Sequence, residues 1–203
     1  MKQSRQAQTS YEAAFNKAAA VLRAGDPDQV NSTCGTSRDG SRIILPFFNR
    51  ELAIKLPKVE FDPPTISLYE QILILHYLTT FGKTATKGEY VSFKNLPGAS
   101  FYNPTYRKRG PERILKVFGN NVEKIVEASA VLGGSRTDYG DVSVKLHVFP
   151  KIKAIVVLYR SDDEFPPEAS ILYNDDIINY LPLEDIAVLS GIIAGKLKKA
   201  ASV

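Results

Sequence analysis

The chain has 203 residues, 44% of them hydrophobic and 24% charged, with a formal charge of +4. That length suffices for one full hydrophobic core, and that composition excludes wholesale disorder. Its single cysteine, Cys34, excludes an intramolecular disulfide and leaves no intrinsic iron–sulfur or structural zinc site to expect from one chain.

The opening MKQSRQAQTSYEAAFNKAAAVL lacks the apolar centre of a signal peptide, and no apolar run reaches the roughly 18 residues that span a bilayer. The expected location is cytoplasmic, with no membrane insertion. Charge is unevenly placed: 23 Lys or Arg against 14 Asp or Glu through Arg160, then 3 against 8 from Ser161 onward. The fold either separates these into faces or interleaves them.

Residues 1–9 are polar and basic, and Lys198–Val203 are small or charged, so flexible ends are expected around a single domain spanning 10–199. Ser10 is placed to cap a helix ending at Leu22 or Arg23, with Tyr11, Ala14, Phe15, Ala18, Val21 and Leu22 at spacings of three and four. NSTCGTSRDGS reads as a polar turn. Arg42–Phe48 and Glu51–Leu56 read as a hairpin around Asn49-Arg50, and Pro46 marks an edge strand or bulge.

Ile66–Phe81 is the clearest helix. Leu68, Ile72, Leu75, Leu78 and Thr79 make a stripe that Ile74 and Tyr77 widen, which predicts a central position. Glu89–Lys94 alternates as a short strand. LPGASFYNPTYRKRGPER reads as a loop or short docking helix, and Glu112–Phe118 and Asn121–Leu132 as helices. Val142–Val148, Ile152–Tyr159 and Ala169–Tyr173 are predicted strands, and Pro182 opens a last helix that buries Leu183, Ile186, Ala187, Leu189, Ile193 and Leu197. The order lacks a regular strand–helix repeat, so the expected fold is α+β: small, mostly antiparallel sheets around a central apolar helix. No phosphate-binding glycine loop, dinucleotide fingerprint or internal repeat is present.

The C-terminal third carries four specific elements: Asp141 before a strand, Pro150 at a strand turn, Asp163-Glu164-Phe165-Pro166, and Leu-Pro-x-Glu-Asp at Leu181–Asp185. With the helix ISLYEQILILHYL, these resemble a bacterial and archaeal family known as domain of unknown function 3786, over most of the chain. Many members come from anaerobes, and some resemble iron–sulfur proteins through an extra cluster segment that this sequence lacks. The resemblance implies fold boundaries and carries no activity with it.

Several groups are candidates for chemistry. Asp162, Asp163, Glu164 and Glu168 suit acid–base work or a hard cation, and equally a solvated turn anchored by Phe165. Glu184-Asp185 suits the positive end of a helix dipole without any ligand, and Asp175-Asp176 a similar cap or turn. His76 and His147 suit a base or an axial ligand, or a hydrogen-bonded structural histidine, and neither has metal-ligand spacing. Tyr102, Tyr106, Arg107, Lys108, Arg109 and Arg113 interleave aromatics with cations, as anion binders and some nucleic-acid binders do. The bland alternative is a basic loop pinned by its tyrosines. Cys34 has no identifiable base and is left unassigned.

The reading favoured is a non-enzymatic binding or accessory protein for an anionic small molecule, cofactor or acidic protein. Its site is Tyr102, Tyr106, Arg107, Arg109 and His76, with no metal. One alternative is an enzyme using His147 or Glu164 for proton transfer with Asp141 as orienter, which requires the three to share a cleft. The other, less favoured, is a weak nucleic-acid binder.

Overall fold

The computed structural model describes residues 2–82 and 87–202, with side chains from residue 9 onward. The expectation of a flexible 1–9 segment falls largely on side chains outside the described residues. The first helix, α1, spans Lys2–Ala24, so it begins well before the expected Ser10 cap. A second helix, α2 (Pro27–Cys34), replaces part of the expected turn, with Asp26 capping its start and Gly35 in the left-handed region at its end. Only a residue without Cβ fits there: a methyl at Gly35 falls 2.8 Å from the Pro150 ring.

Four strands then form an antiparallel meander, β1 (Ser37–Asp39), β2 (Arg42–Phe47), β3 (Arg50–Lys55) and β4 (Glu60–Asp62). Strand β1 pairs only with Arg42–Ile44 of β2, so Pro46 lies past its end and removes no donor from that ladder. The edge expected at Pro46 is therefore real, although β2 is not an edge strand along its whole length.

Helix α3 (Leu68–Thr79) starts with a capping box. The Glu70 amide donates to Ser67 Oγ, and the Glu70 carboxylate accepts from the Ser67 amide. Leu73, Ile74, Leu75, Tyr77 and Leu78 are all nearly inaccessible. A helix apolar on this many faces needs cover on every side, and α1, α2 and the last helix supply it.

The second sheet has the order β5-β9-β8-β7-β6, all antiparallel, from β5 (Tyr90–Ser92), β6 (Ser135–Thr137), β7 (Val142–Phe149), β8 (Ile152–Tyr159) and β9 (Glu168–Asn174). One face carries Val144, Val156 and Ile171 in one row and Leu146, Ala154 and Tyr173 in the next, all fully buried. Helices α4 (Asn103–Arg109), α5 (Pro111–Phe118), α6 (Lys124–Val131) and α7 (Leu183–Ala200) cover that side, α5 resting on β9, α6 on β7, and α7 against α4, α5 and α6. Each fully buried Leu or Ile contributes about 1.5–3 kcal/mol. The molecule is a mixed α/β single domain with antiparallel sheets, and among the described residues no helix is long and apolar enough to cross a membrane.

Candidate functional site

A short polar contact in the helical layer joins His76 on α3 to Asp185 on α7. Their Nδ1 and Oδ2 atoms lie 2.6 Å apart, with side chains 31% and 12% exposed. The Asp185 hydrogen bond raises the His76 pKa above its ordinary value despite burial, helped by the charges of Asp185 and Glu184 and opposed by Lys17. Nδ1 is occupied and Nε2 makes no hydrogen bond among the described residues.

His76 lines a cavity of about 220 Å³ between α1, α3 and α7, with Ala14, Ile72, Leu73 and Asp185 in its walls. A larger cavity of about 600 Å³ adjoins it, and the two share Tyr11, Tyr69, Glu184 and Val188. Tyr11 and Tyr69 meet edge to face, ring centres 4.5 Å apart, at this junction. The larger cavity takes Arg109 and Arg113 from the basic segment and Lys196 and Lys199 from α7.

These cations are not equivalent. Lys196 Nζ lies 2.7 Å from Glu70 and also over the rings of Phe47 and Phe48. Burial alone would raise the Glu70 carboxyl, but hydrogen bonds from Lys196 and Ser67 outweigh it and hold its pKa below the usual value. Among the described residues, Arg109, Arg113 and Lys199 form no ion pair. Two glycines of α7, Gly191 and Gly195, form part of the wall, and a methyl at Gly195 meets nothing within 4 Å.

The basic-aromatic segment is split by its own helix. Residues 107 and 109 are two apart on α4 and so point to different sides. Arg109 faces the large cavity, whereas Arg107 and Tyr106 line a separate one of about 350 Å³ beside β9. Tyr106 is 5% exposed, stacks on Phe93 at 4.2 Å and donates its hydroxyl to the Ile171 carbonyl. It pins the segment to the sheet. Tyr102 is half-buried with its ring edge-on to Phe101. Of the five residues expected in one site, His76 and Arg109 line adjoining cavities, Tyr106 and Arg107 line another, and Tyr102 lines none of these three.

The acid–base candidates are not brought together. Asp141 accepts from the Arg160 amide and closes the turn onto β8. His147 pairs with Lys153 at the opposite end of β7, and its pKa is lowered by burial, Lys153 and Lys145. Six steps along the strand separate the two, about 20 Å. Glu164 is exposed in the β8–β9 connection, where the Asp162 carboxylate accepts from the amides of Glu164 and Phe165. Phe165 is 66% exposed, so it does not anchor that turn as expected; side-chain capping by Asp162 does. Asp175 lies in the first turn of the short helix Asp175–Asn179, as expected, and its carboxylate also accepts from the amides of Lys87 and Gly88 in a distant segment. Cys34 is not in an open turn but fully buried, its thiol pushed up to about 12 by burial, with Lys151 opposing. Among the described residues no group of three or more His, Cys, Asp or Glu side chains is arranged to hold a metal ion.

Residues 26–196 match a family described as Domain of unknown function (DUF3786). The chain belongs to this DUF3786 family. No curated protein and no solved structure matches it. Of the DUF3786-like elements, Asp141 and the 163–166 turn do backbone work, and Pro150 packs on Gly35. Leu181–Asp185 reaches a cavity through Glu184 and Asp185, as the helix ISLYEQILILHYL does through Tyr69, Ile72, Leu73 and His76.

Tyr11, Tyr69, Lys196 and Lys199 were not foreseen as site residues. Helical spacing assigns Tyr11 to the core, and Lys199 reads as part of a charged tail. The available signal was Gly191, Gly195 and Lys199, each four apart, which place two gaps and a cation on one side of a helix.

Proposed function

We propose that this chain is a non-enzymatic binding or accessory protein that holds an anionic small molecule in the large cavity between α3, α7 and the α4–α5 junction. One observation carries the reading: Arg109, Arg113 and Lys199 line a single concave wall and have no carboxylate partner among the described residues, while the neighbouring Lys196 is neutralised by Glu70. Unpaired cations around a concavity raise the local concentration of anions and form charge-assisted hydrogen bonds with them. A cytoplasmic setting suits the lone Cys34 thiol.

Titration calorimetry with inorganic phosphate, succinate and benzoate tests this. At least one binds the wild type, and Arg109→Glu with Arg113→Glu weakens it more than about tenfold, since each charged hydrogen bond contributes about 1.5–3 kcal/mol. Unchanged affinity for every anion in the double variant refutes the assignment.

A further inference from the structure

The two adjoining cavities differ in chemistry, and the difference describes a ligand. In the wall of the large one, Lys196 and Glu70 cancel, leaving Arg109, Arg113 and Lys199 against Glu184. The remaining charge suits a dianion, and two guanidinium forks with one ammonium suit phosphate oxygens. A phosphomonoester near neutral pH carries about −1.5 to −2. The small cavity is different: Ala14, Ile72, Leu73 and Val188 give it apolar walls, and its polar groups are Ser10, Glu184 and His76 backed by Asp185. Its volume of about 220 Å³ exceeds the ~150 Å³ cavity that holds one benzene ring.

From this we infer that the ligand is a phosphomonoester of a compact aromatic group, with its phosphate against Arg109, Arg113 and Lys199 and its ring past the Tyr11–Tyr69 pair, beside His76. The inference rests on the anion-binding reading above and adds a second subsite to it. Tyr11 and Tyr69 border both cavities, so their rings flank the ligand where its phosphate and ring join. Asp185 fixes the imidazole through Nδ1, which leaves Nε2 as the ring atom available to the ligand.

Phenyl phosphate and inorganic phosphate are the probes, followed by calorimetry and by the imidazole proton signals. The chain has two histidines, and His147 on β7 serves as the internal control. Phenyl phosphate is expected to bind at least about tenfold tighter than inorganic phosphate, the gain from burying one ring. It shifts the His76 signals by its ring current and leaves His147 in place, whereas inorganic phosphate moves neither strongly. Ala14→Leu fills the small cavity and is expected to bring the two affinities together while phosphate binding persists. If inorganic phosphate binds at Arg109 and Arg113 but the phenyl group adds no affinity and His76 does not move, the second subsite is refuted and the anion reading stands. If neither compound binds at millimolar concentration, the phosphomonoester assignment fails, and succinate and benzoate decide the anion reading separately.

Discussion

His76 shows how one contact ties position to protonation. The groups facing it are Asp185 and Glu184 from α7 and Lys17 from α1, and their net effect with burial is a pKa above 6.5. Because the folded pKa exceeds the unfolded one, the contribution to stability is complete below about pH 6.5 and fades as pH rises through the folded value. Urea unfolding of wild type and His76→Gln from pH 5 to 9 is expected to show a stability difference that shrinks across that window. A difference independent of pH contradicts the assignment. At pH 6, His76→Ala strands the Asp185 carboxylate in its 12% exposed position, which costs about 1–3 kcal/mol. Cys34 is the opposite kind of residue. With its thiol raised to about 12 and no exposed surface, little thiolate exists at pH 8. Iodoacetamide is expected to leave the folded chain unmodified over hours and to add one carbamidomethyl group in denaturant, read by intact mass. Rapid labelling of the folded chain contradicts this burial.

At the scale of elements, α7 holds the clearest imbalance between helix propensity and packing. Glycine inside a helix is less stable than alanine by about 0.5–1 kcal/mol, and at Gly195 no neighbour excludes a methyl group. Gly195→Ala is therefore expected to raise the melting temperature, by about 0.5–1 kcal/mol of stability. Gly110, between α4 and α5, is the contrast: a methyl there falls 2.6 Å from Ser190 Cβ, and Gly110→Ala is expected to destabilise. A loss of stability in Gly195→Ala contradicts the open wall. The same scale separates what the sequence disclosed from what it did not. Helix α3, the β2–β3 hairpin, β7, β8, β9 and α7 carry long periodic apolar patterns, and their expected spans lie close to the observed ones. Strands β1, β4 and β6 are three residues each, with at most one buried side chain. They exist because a neighbouring strand offers its ladder, a non-local cause that no local pattern carries. Helix α2 was hidden by Asn31, Ser32 and Thr33, residues as common in turns as in helices. The site was half readable for a similar reason. Arg109 and His76 stood out as residue types, but the pairing of His76 with Asp185 spans 109 positions of chain.

In the whole molecule, the charge asymmetry of the sequence is interleaved at points that matter. Acidic α7 residues meet His76 of the basic half, and Lys196 of the acidic half meets Glu70. The two sheets are likewise joined. The Phe48 amide donates to the Val148 carbonyl, Phe47 lies 5.0 Å from Phe149, and Tyr77 of α3 stacks on Phe149 at 4.2 Å. The Tyr77 hydroxyl donates to the Cys34 carbonyl and accepts from the Lys151 amide. One fully buried side chain thus links α2, α3 and the β7–β8 turn. Packing that crosses every layer leaves no sub-structure with a core of its own, so unfolding is expected in one step. Tyr77→Phe keeps the ring stack and removes the hydroxyl. It leaves the Cys34 carbonyl and Lys151 amide without that partner, a loss of about 1–3 kcal/mol, while the transition stays single. Urea curves followed by far-ultraviolet circular dichroism and by tyrosine fluorescence should superimpose for both proteins, with the variant's midpoint lower and its slope the same. Two separated transitions in the wild type would show that the sheets fold independently and that the Phe47–Phe149–Tyr77 contact does not couple them.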